Sequence, residues 1–259
     1  VTMALYDRIG RSYDATRTAD WRIVERLLAL LDLPTNARIC DIGAGSANYS
    51  NAIAEKGYDV SAVEPSPIMR EQARPHRRVT MSAGVAEHLP LDSGEVDGVI
   101  STLASHHFSD LARAFHEIAR VCPSGPVVFF TLDPRRRPIT WIETYFPQLR
   151  EIDLRAFQPA EALVELGGAA LGRTGAIAPF HLPPDLTDNF LFAPWNRPEV
   201  FFDGTFRANT SGFARSDPAR IAEGLARLKK DLQAGVWDAQ YGQLRTASSF
   251  DAGFCFVHF

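Results

Sequence analysis

Cysteine is scarce in this 259-residue chain: Cys40, Cys122 and Cys255 stand far apart, their number is odd, and no C-x-x-C occurs. That usage argues against a disulfide framework or a cysteine-built zinc site and suits a reducing cytosol. Long apolar runs are also missing, none approaching the roughly 18 residues needed to span a bilayer. No basic stretch followed by an apolar one opens the sequence, so no secretory signal is expected and the expected location is the cytoplasm. Charge of one sign does not accumulate, the formal net charge being -4 and the isoelectric point about 6.0. The densest basic cluster, Arg135-Arg136-Arg137, is too short for a nucleic-acid tract, and the acidic balance offers no long-range attraction for nucleic acid or an anionic membrane. Internal repeats and low-complexity segments are absent.

What is present is apolar and alternating. Apolar residues make up 46% of the chain, enough to bury a full core without a metal or disulfide. Trp21, Val24, Leu27, Leu28 and Leu31 recur at three- and four-residue spacing and predict one helical face, ended by Pro34. Strands are predicted over 37–41, 59–64, 79–83, 96–101 and 126–132, with helices over 50–55, 67–73 and 111–121 between them. Strands separated by crossover helices predict a parallel sheet with helices on both faces. Beyond residue 140 the pattern predicts a helix over 159–170, a strand over 175–180 and a half-buried aromatic strand over 253–259. Residues 185–248 do not alternate. They hold a helix over 218–232 capped by Asp217 and many aromatics, among them Phe190, Phe192, Trp195, Phe201, Phe202, Phe206 and Phe213. This stretch reads as a helical insertion acting as a lid, with residues 1–184 and 249–259 forming the main α/β domain.

The first strand runs into Asp41-Ile-Gly43-Ala-Gly45-Ser-Ala47. Glycine allows a sharp turn and close approach to a ligand, and the helix N-terminus that follows offers free N–H groups. Dinucleotide folds want G-x-G-x-x-G, but the third position here is Asn48. An acid at the loop's start, Asp41, suits a cofactor carrying an ammonium group better than a pyrophosphate. Glu64 ends the second strand, where a carboxylate can accept hydrogen bonds from ribose hydroxyls.

The stretch from Tyr6 to about Pro134 resembles the ubiquinone/menaquinone-biosynthesis type of class I S-adenosylmethionine-dependent methyltransferase (methyltransferase type 11). Its D-x-G-x-G-x-G motif is present with Ala47 in place of the last glycine. The remainder is similar to bacterial methyltransferases grouped with antibiotic biosynthesis. The resemblance implies a Rossmann-like, mainly parallel seven-stranded sheet with an antiparallel last strand, and S-adenosylmethionine as cofactor. It implies that Asp41, Gly43 and Gly45 meet the methionine end, Glu64 the ribose, and Val85 and Ala86 of Gly84-Val-Ala-Glu-His-Leu-Pro90 the adenine, with Leu103 also at the cofactor. Val85 stands where the family has an acid. In the opening Tyr6–Arg17 segment, Tyr13 is implied to approach the sulfonium and Arg17 the methionine carboxylate.

After the fourth strand come His106 and His107, paired as in the family and able to take a proton near neutral pH. One is expected to face the crevice and the other to pack. Asp133, at the end of the fifth strand, is expected to orient a histidine. The expected partner is a small-molecule acceptor under the aromatic lid, methylated on oxygen, nitrogen or carbon, in secondary metabolism; no metal is expected, and the sequence does not set the oligomeric state. Two alternatives stay open, a nicotinamide-dependent Rossmann oxidoreductase and a non-catalytic S-adenosylmethionine-binding module. The first lacks both the third glycine and a Tyr-x-x-x-Lys pair. An amino-group nucleic-acid methyltransferase would need an Asn/Asp-Pro-Pro-aromatic signature where Ser101-Thr-Leu-Ala stands.

Overall fold

The computed structural model describes residues 17–259, so Tyr13 lies outside the described residues. A seven-stranded sheet organises the chain, in the spatial order β3-β2-β1-β4-β5-β7-β6. The strands are β1 (Arg38–Ile42), β2 (Asp59–Val63), β3 (Val79–Ser82), β4 (Gly98–Thr102), β5 (Val127–Leu132), β6 (Ala176–Pro179) and β7 (Phe254–His258). Pairing is parallel from β3 through β5, while β7 runs antiparallel to both β5 and β6. The strand order reverses beside β1, and in open α/β sheets such a switch point is where a ligand-binding crevice opens.

Every residue of β5 is buried, as a continuous apolar run covered on both faces should be. Side-chain alternation sends Phe129 to one face and Phe130 to the other. On the Phe129 face lie α4 (Leu111–Val121) and α7 (Ala160–Leu171). Asp110 caps α4 by accepting from the Arg113 N–H, which starts the helix in the register that buries Ala114, Phe115, Ile118 and Val121. On the Phe130 face lie α1 (Trp21–Leu31), α2 (Asn48–Glu55) and the long segment between β6 and β7.

Two local expectations for α1 need correction. The helix stops at Leu31, because Asp32 adopts a left-handed conformation (φ 46°) and its N–H closes on the Leu28 carbonyl; Pro34 lies beyond that stop. Its buried face is Ile23, Val24, Leu27 and Leu31, whereas Trp21 is 57% exposed. Trp21 opens the helix and lies beside the Arg22 guanidinium, 5.3 Å from its ring centroid. Two helices unforeseen in the sequence follow β5, α5 (Trp141–Tyr145) and α6 (Pro147–Ala156).

The segment between β6 and β7 carries α8 (Gly204–Ala208), α9 (Ser211–Ala214), α10 (Pro218–Gln233) and α11 (Val236–Tyr241), with 3-10 turns at Pro198–Phe202 and Gly242–Thr246. Leu182 and Phe250 exchange both backbone hydrogen bonds and tie its two ends together. Its aromatics do not form a separate core. Phe190 and Phe192 pack on Phe254 of β7, and Phe201 packs between Trp141 and Phe146 of the α5–α6 region. All belong to one continuous cluster with Phe130.

Candidate functional site

The carboxyl ends of β1, β2 and β4 surround a cavity of about 290 Å³. Gly43 makes the turn out of β1. Its φ is +76°, its N–H donates to the Val63 carbonyl at 2.8 Å, and a Cβ there would lie 2.4 Å from the Ala104 Cβ. Only glycine fits, because both conformation and space exclude a side chain. Gly45 also has positive φ (+58°), and so does Ala47 (+68°), which initiates α2 where the family motif has glycine. Ala47 is fully buried, so the missing glycine is replaced by a strained but packed alanine.

Glu64 fastens this loop to the next one. Its Oε2 accepts from the Gly45 N–H and its Oε1 from the Ser66 N–H, each at 2.9 Å. Burial pushes its carboxyl pKa up, opposed by those two N–H groups and by Arg70. A carboxylate has about four acceptor sites, so two backbone donors leave capacity for hydroxyls. The same cavity is lined by Gly43, Gly45, Val85, Ala86, Leu103 and His107. Val85 is 42% exposed on its rim, an apolar residue at the position of the family's acid.

Asp41 does not line the cavity. It is 1% exposed at the end of β1, one oxygen accepting from the Ser50 hydroxyl at 2.6 Å. Its Oδ1 is buried with no hydrogen-bond partner among the described residues. Burial, with a smaller contribution from the Glu64 charge, raises its pKa to about 7.

Leu103, in a left-handed conformation (φ 52°), separates this cavity from a second one of about 70 Å³ and lines both. The adjoining turn, Ser105–His107, divides the histidines between them: His107 faces the first cavity and His106 the second. Their ring centroids are 3.7 Å apart, and His106 also lies 4.1 Å from Phe157. Burial, then the nearby Arg215, depresses the His107 pKa to about 4; burial, His107 and Arg215 hold His106 well below its usual range. Both imidazoles are therefore neutral at physiological pH, but weak bases.

Two other expected residues stand elsewhere. Arg17 lines the second cavity and forms a two-pronged ion pair with Asp188, whose carboxylate also accepts from the Tyr49 hydroxyl at 2.9 Å. Asp133 is 1% exposed and faces neither cavity; its oxygens accept from the Arg135 N–H (2.9 Å) and from the Ala160 N–H at the start of α7 (3.0 Å). That geometry corrects the expected role of orienting a histidine, because an Asp-Pro turn directs the carboxylate onto nearby backbone donors.

One site-like residue escaped sequence reasoning. Asp153 of α6 is 6% exposed, lines the second cavity, and keeps Oδ2 without a hydrogen-bond partner among the described residues. Leu149 and Asp153, four apart after Pro147, are the available signal: an acid one turn along a buried helical face. Among the described residues no group of three or more His, Cys, Asp or Glu side chains is arranged to hold a metal ion, and no helix is long and apolar enough to cross a membrane.

Comparison with known proteins fits this geometry. The family described as "Methyltransferase domain" matches residues 40–130. The chain is 41% identical to a crystallised Anabaena variabilis protein described as a methyltransferase from an antibiotic biosynthesis pathway, covering 94% of this chain and 98% of that one with a TM-score of 0.91. It is 35% identical over 136 residues to an uncharacterised methyltransferase of Mycobacterium bovis, which is 52% of this chain and 54% of the relative. A malonyl-[acyl-carrier protein] O-methyltransferase of Geobacter sulfurreducens is 34% identical over 135 residues, 49% of this chain and 51% of that protein. The chain thus spans about half the length of these two curated relatives.

Proposed function

Because the chain belongs to the S-adenosylmethionine-dependent methyltransferases, with S-adenosylmethionine as its cofactor, we propose that it methylates a small-molecule acceptor held beside Leu103, under the aromatic segment between β6 and β7. The observation that carries this reading is the pairing of two cavities across Leu103. One is bounded by the glycine loop and Glu64, the other by aromatic side chains of the insertion, with one histidine on each side. Bound S-adenosylmethionine supplies an electrophilic methyl group.

In this reading the chain's residues bind and orient. Glu64 accepts from the ribose hydroxyls while still holding the Gly45 and Ser66 amides. Asp41, buried behind the loop and held by the Ser50 hydroxyl, places a carboxyl group near the loop's base without lining the cavity. Ala86 and Val85 flank the adenine, Val85 with an apolar surface. His106 and His107, both neutral, accept hydrogen bonds beside the methyl path. Phe157, Phe190 and Phe192 exclude water from the acceptor. Holding the acceptor in line supplies roughly 7–11 kcal/mol of a typical transfer barrier, more than a weak base adds. The antibiotic-pathway description of the Anabaena protein supports an acceptor from secondary metabolism.

The test is product mass. Full-length protein incubated with methyl-labelled S-adenosylmethionine and a panel of phenols, amines and carboxylic acids should give one labelled product class. Binding of NADH in preference to S-adenosylhomocysteine would replace this reading with the oxidoreductase one. Tight S-adenosylhomocysteine binding without transfer to any acceptor class would favour the non-catalytic module.

A further inference from the structure

The second cavity holds a polar group that the cofactor reading leaves without a task. Asp153 lies on α6 and lines that cavity, and its Oδ2 is buried with no donor among the described residues. A buried carboxylate normally has partners, because leaving one unmade costs more than an average hydrogen bond gains. The nearby cations are engaged elsewhere or lie outside: Arg137 forms a fully buried two-pronged pair with Glu143, Arg150 reaches the same Glu143 at 3.4 Å, and Arg215 is exposed.

We infer that Asp153 is the acceptor-recognising residue, its carboxylate taking a hydrogen bond from a neutral hydroxyl on an aromatic acceptor. This rests on the methyl-transfer reading above. The walls set the apolar part: Phe157, Phe190, Phe192 and Leu132 give the cavity a largely aromatic lining. The charges set the polar part. The positive charges of Arg137, Arg215 and Arg150 act on Asp153 from nearby, as does the negative charge of Glu143, and Arg17 lines the same cavity paired to Asp188. Four guanidiniums against Asp153, Glu143 and Asp188 disfavour a further cation such as an ammonium acceptor. A carboxylate acceptor would meet the Asp153 oxygen as a like charge. A hydroxyl donor satisfies Oδ2 without adding charge, and His106, whose Nδ1 is buried with no hydrogen-bond partner among the described residues, shares the cavity. Burial raises the Asp153 pKa to about 7, so its oxygens switch between anion and acid near neutrality.

The test is equilibrium binding of phenol, anisole, benzylamine and benzoate to the full chain, read by NMR with and without saturating S-adenosylhomocysteine. Phenol should bind at least about tenfold tighter than anisole, which keeps the ring and loses the donor, and tighter than either charged probe. Asp153→Asn should cut the phenol-over-anisole preference to about threefold or less, while affinity for S-adenosylhomocysteine stays within about twofold. Equal binding of phenol and anisole by the parent overturns the assignment without needing any variant. So does preferential binding of benzylamine or benzoate, or a folded Asp153→Asn protein that keeps the phenol preference. Failure to bind S-adenosylhomocysteine overturns the methyltransferase reading instead, and the probe series without it still decides the role of Asp153.

Discussion

Burial pulls Asp153 and His107 in opposite directions, and the two meet in one pH window. Asp153 keeps its proton in the folded chain up to about pH 7, whereas an exposed aspartate loses it near 4. Between these values the folded state binds more protons, so its stability falls as pH rises. His107 takes its proton at about 4 when folded and near 6.5 when unfolded. Over that range the unfolded state binds more protons, so stability rises with pH. Each group contributes a slope of up to about 1.4 kcal/mol per pH unit. Asp153→Asn removes only the first. Its stability relative to the parent should therefore grow from about pH 4 to about pH 7 and then level off, as followed by urea denaturation at several pH values. A constant difference would mean that Asp153 titrates as though exposed. The loop residues pose a different balance. Ala47→Gly relieves about 1–2 kcal/mol of left-handed strain, but loses about 0.8 kcal/mol of methyl burial and about 0.4–1 kcal/mol of unfolded-state entropy. It should fall within about 1 kcal/mol of the parent. Gly43→Ala combines positive φ with a contact at 2.4 Å and should cost at least about 2 kcal/mol. A well-folded Gly43→Ala protein with parental stability would show that the loop relaxes freely.

At the scale of elements, Glu64 joins the β1–α2 loop to the turn before α3 (Pro67–Gln72). Losing charge-assisted hydrogen bonding worth about 1.5–3 kcal/mol in net, Glu64→Ala should bind S-adenosylhomocysteine about ten- to hundredfold more weakly. Unchanged affinity by calorimetry would remove Glu64 from the proposed site. This crevice was legible in the sequence because strand-to-helix turns carry local marks: Gly43 and Gly45 where φ is positive, an acid at each strand end, Pro67 at the first helical position. Strands β1 through β5 were legible for the same kind of reason, their apolar runs being short and bounded. Helices α5 and α6 were not. Trp141, Ile142 and Tyr145 pack inward while polar Glu143, Gln148 and Asp153 are also buried, which erases the apolar–polar contrast a periodicity needs. Thr140 and Glu143 form a capping box there, but Glu143 is held in place chiefly by Arg137, a partner outside the helix. Asp133 misled because position at a strand end cannot show where a carboxylate turns.

Across the whole molecule, the open question is whether the segment between β6 and β7 is a separable lid or part of the fold. Trp141, Trp195 and Trp237 are fully buried in one cluster that also contains Phe130 and Phe254 of the sheet. Trp195 stacks on Phe250 at 5.2 Å, and Phe201 contacts Trp141, Phe146, Phe206 and Phe213 at 5.0–5.9 Å. Removing residues 185–248 would strip these partners from β7 and α5 together, so the truncated chain should fail to form the cofactor crevice. A single substitution separates the two readings more cleanly than truncation. Phe201 is fully buried, and Phe201→Ala should cost about 3–5 kcal/mol. If the insertion and the sheet are one cooperative unit, tryptophan fluorescence and S-adenosylhomocysteine binding will lose their signals at the same, lowered denaturant concentration. If the insertion is an independent lid, fluorescence will move to lower denaturant while cofactor binding keeps its parental midpoint. The shared cluster argues for coincident transitions, because Phe190 and Phe192 of the insertion pack on Phe254 of β7 within it.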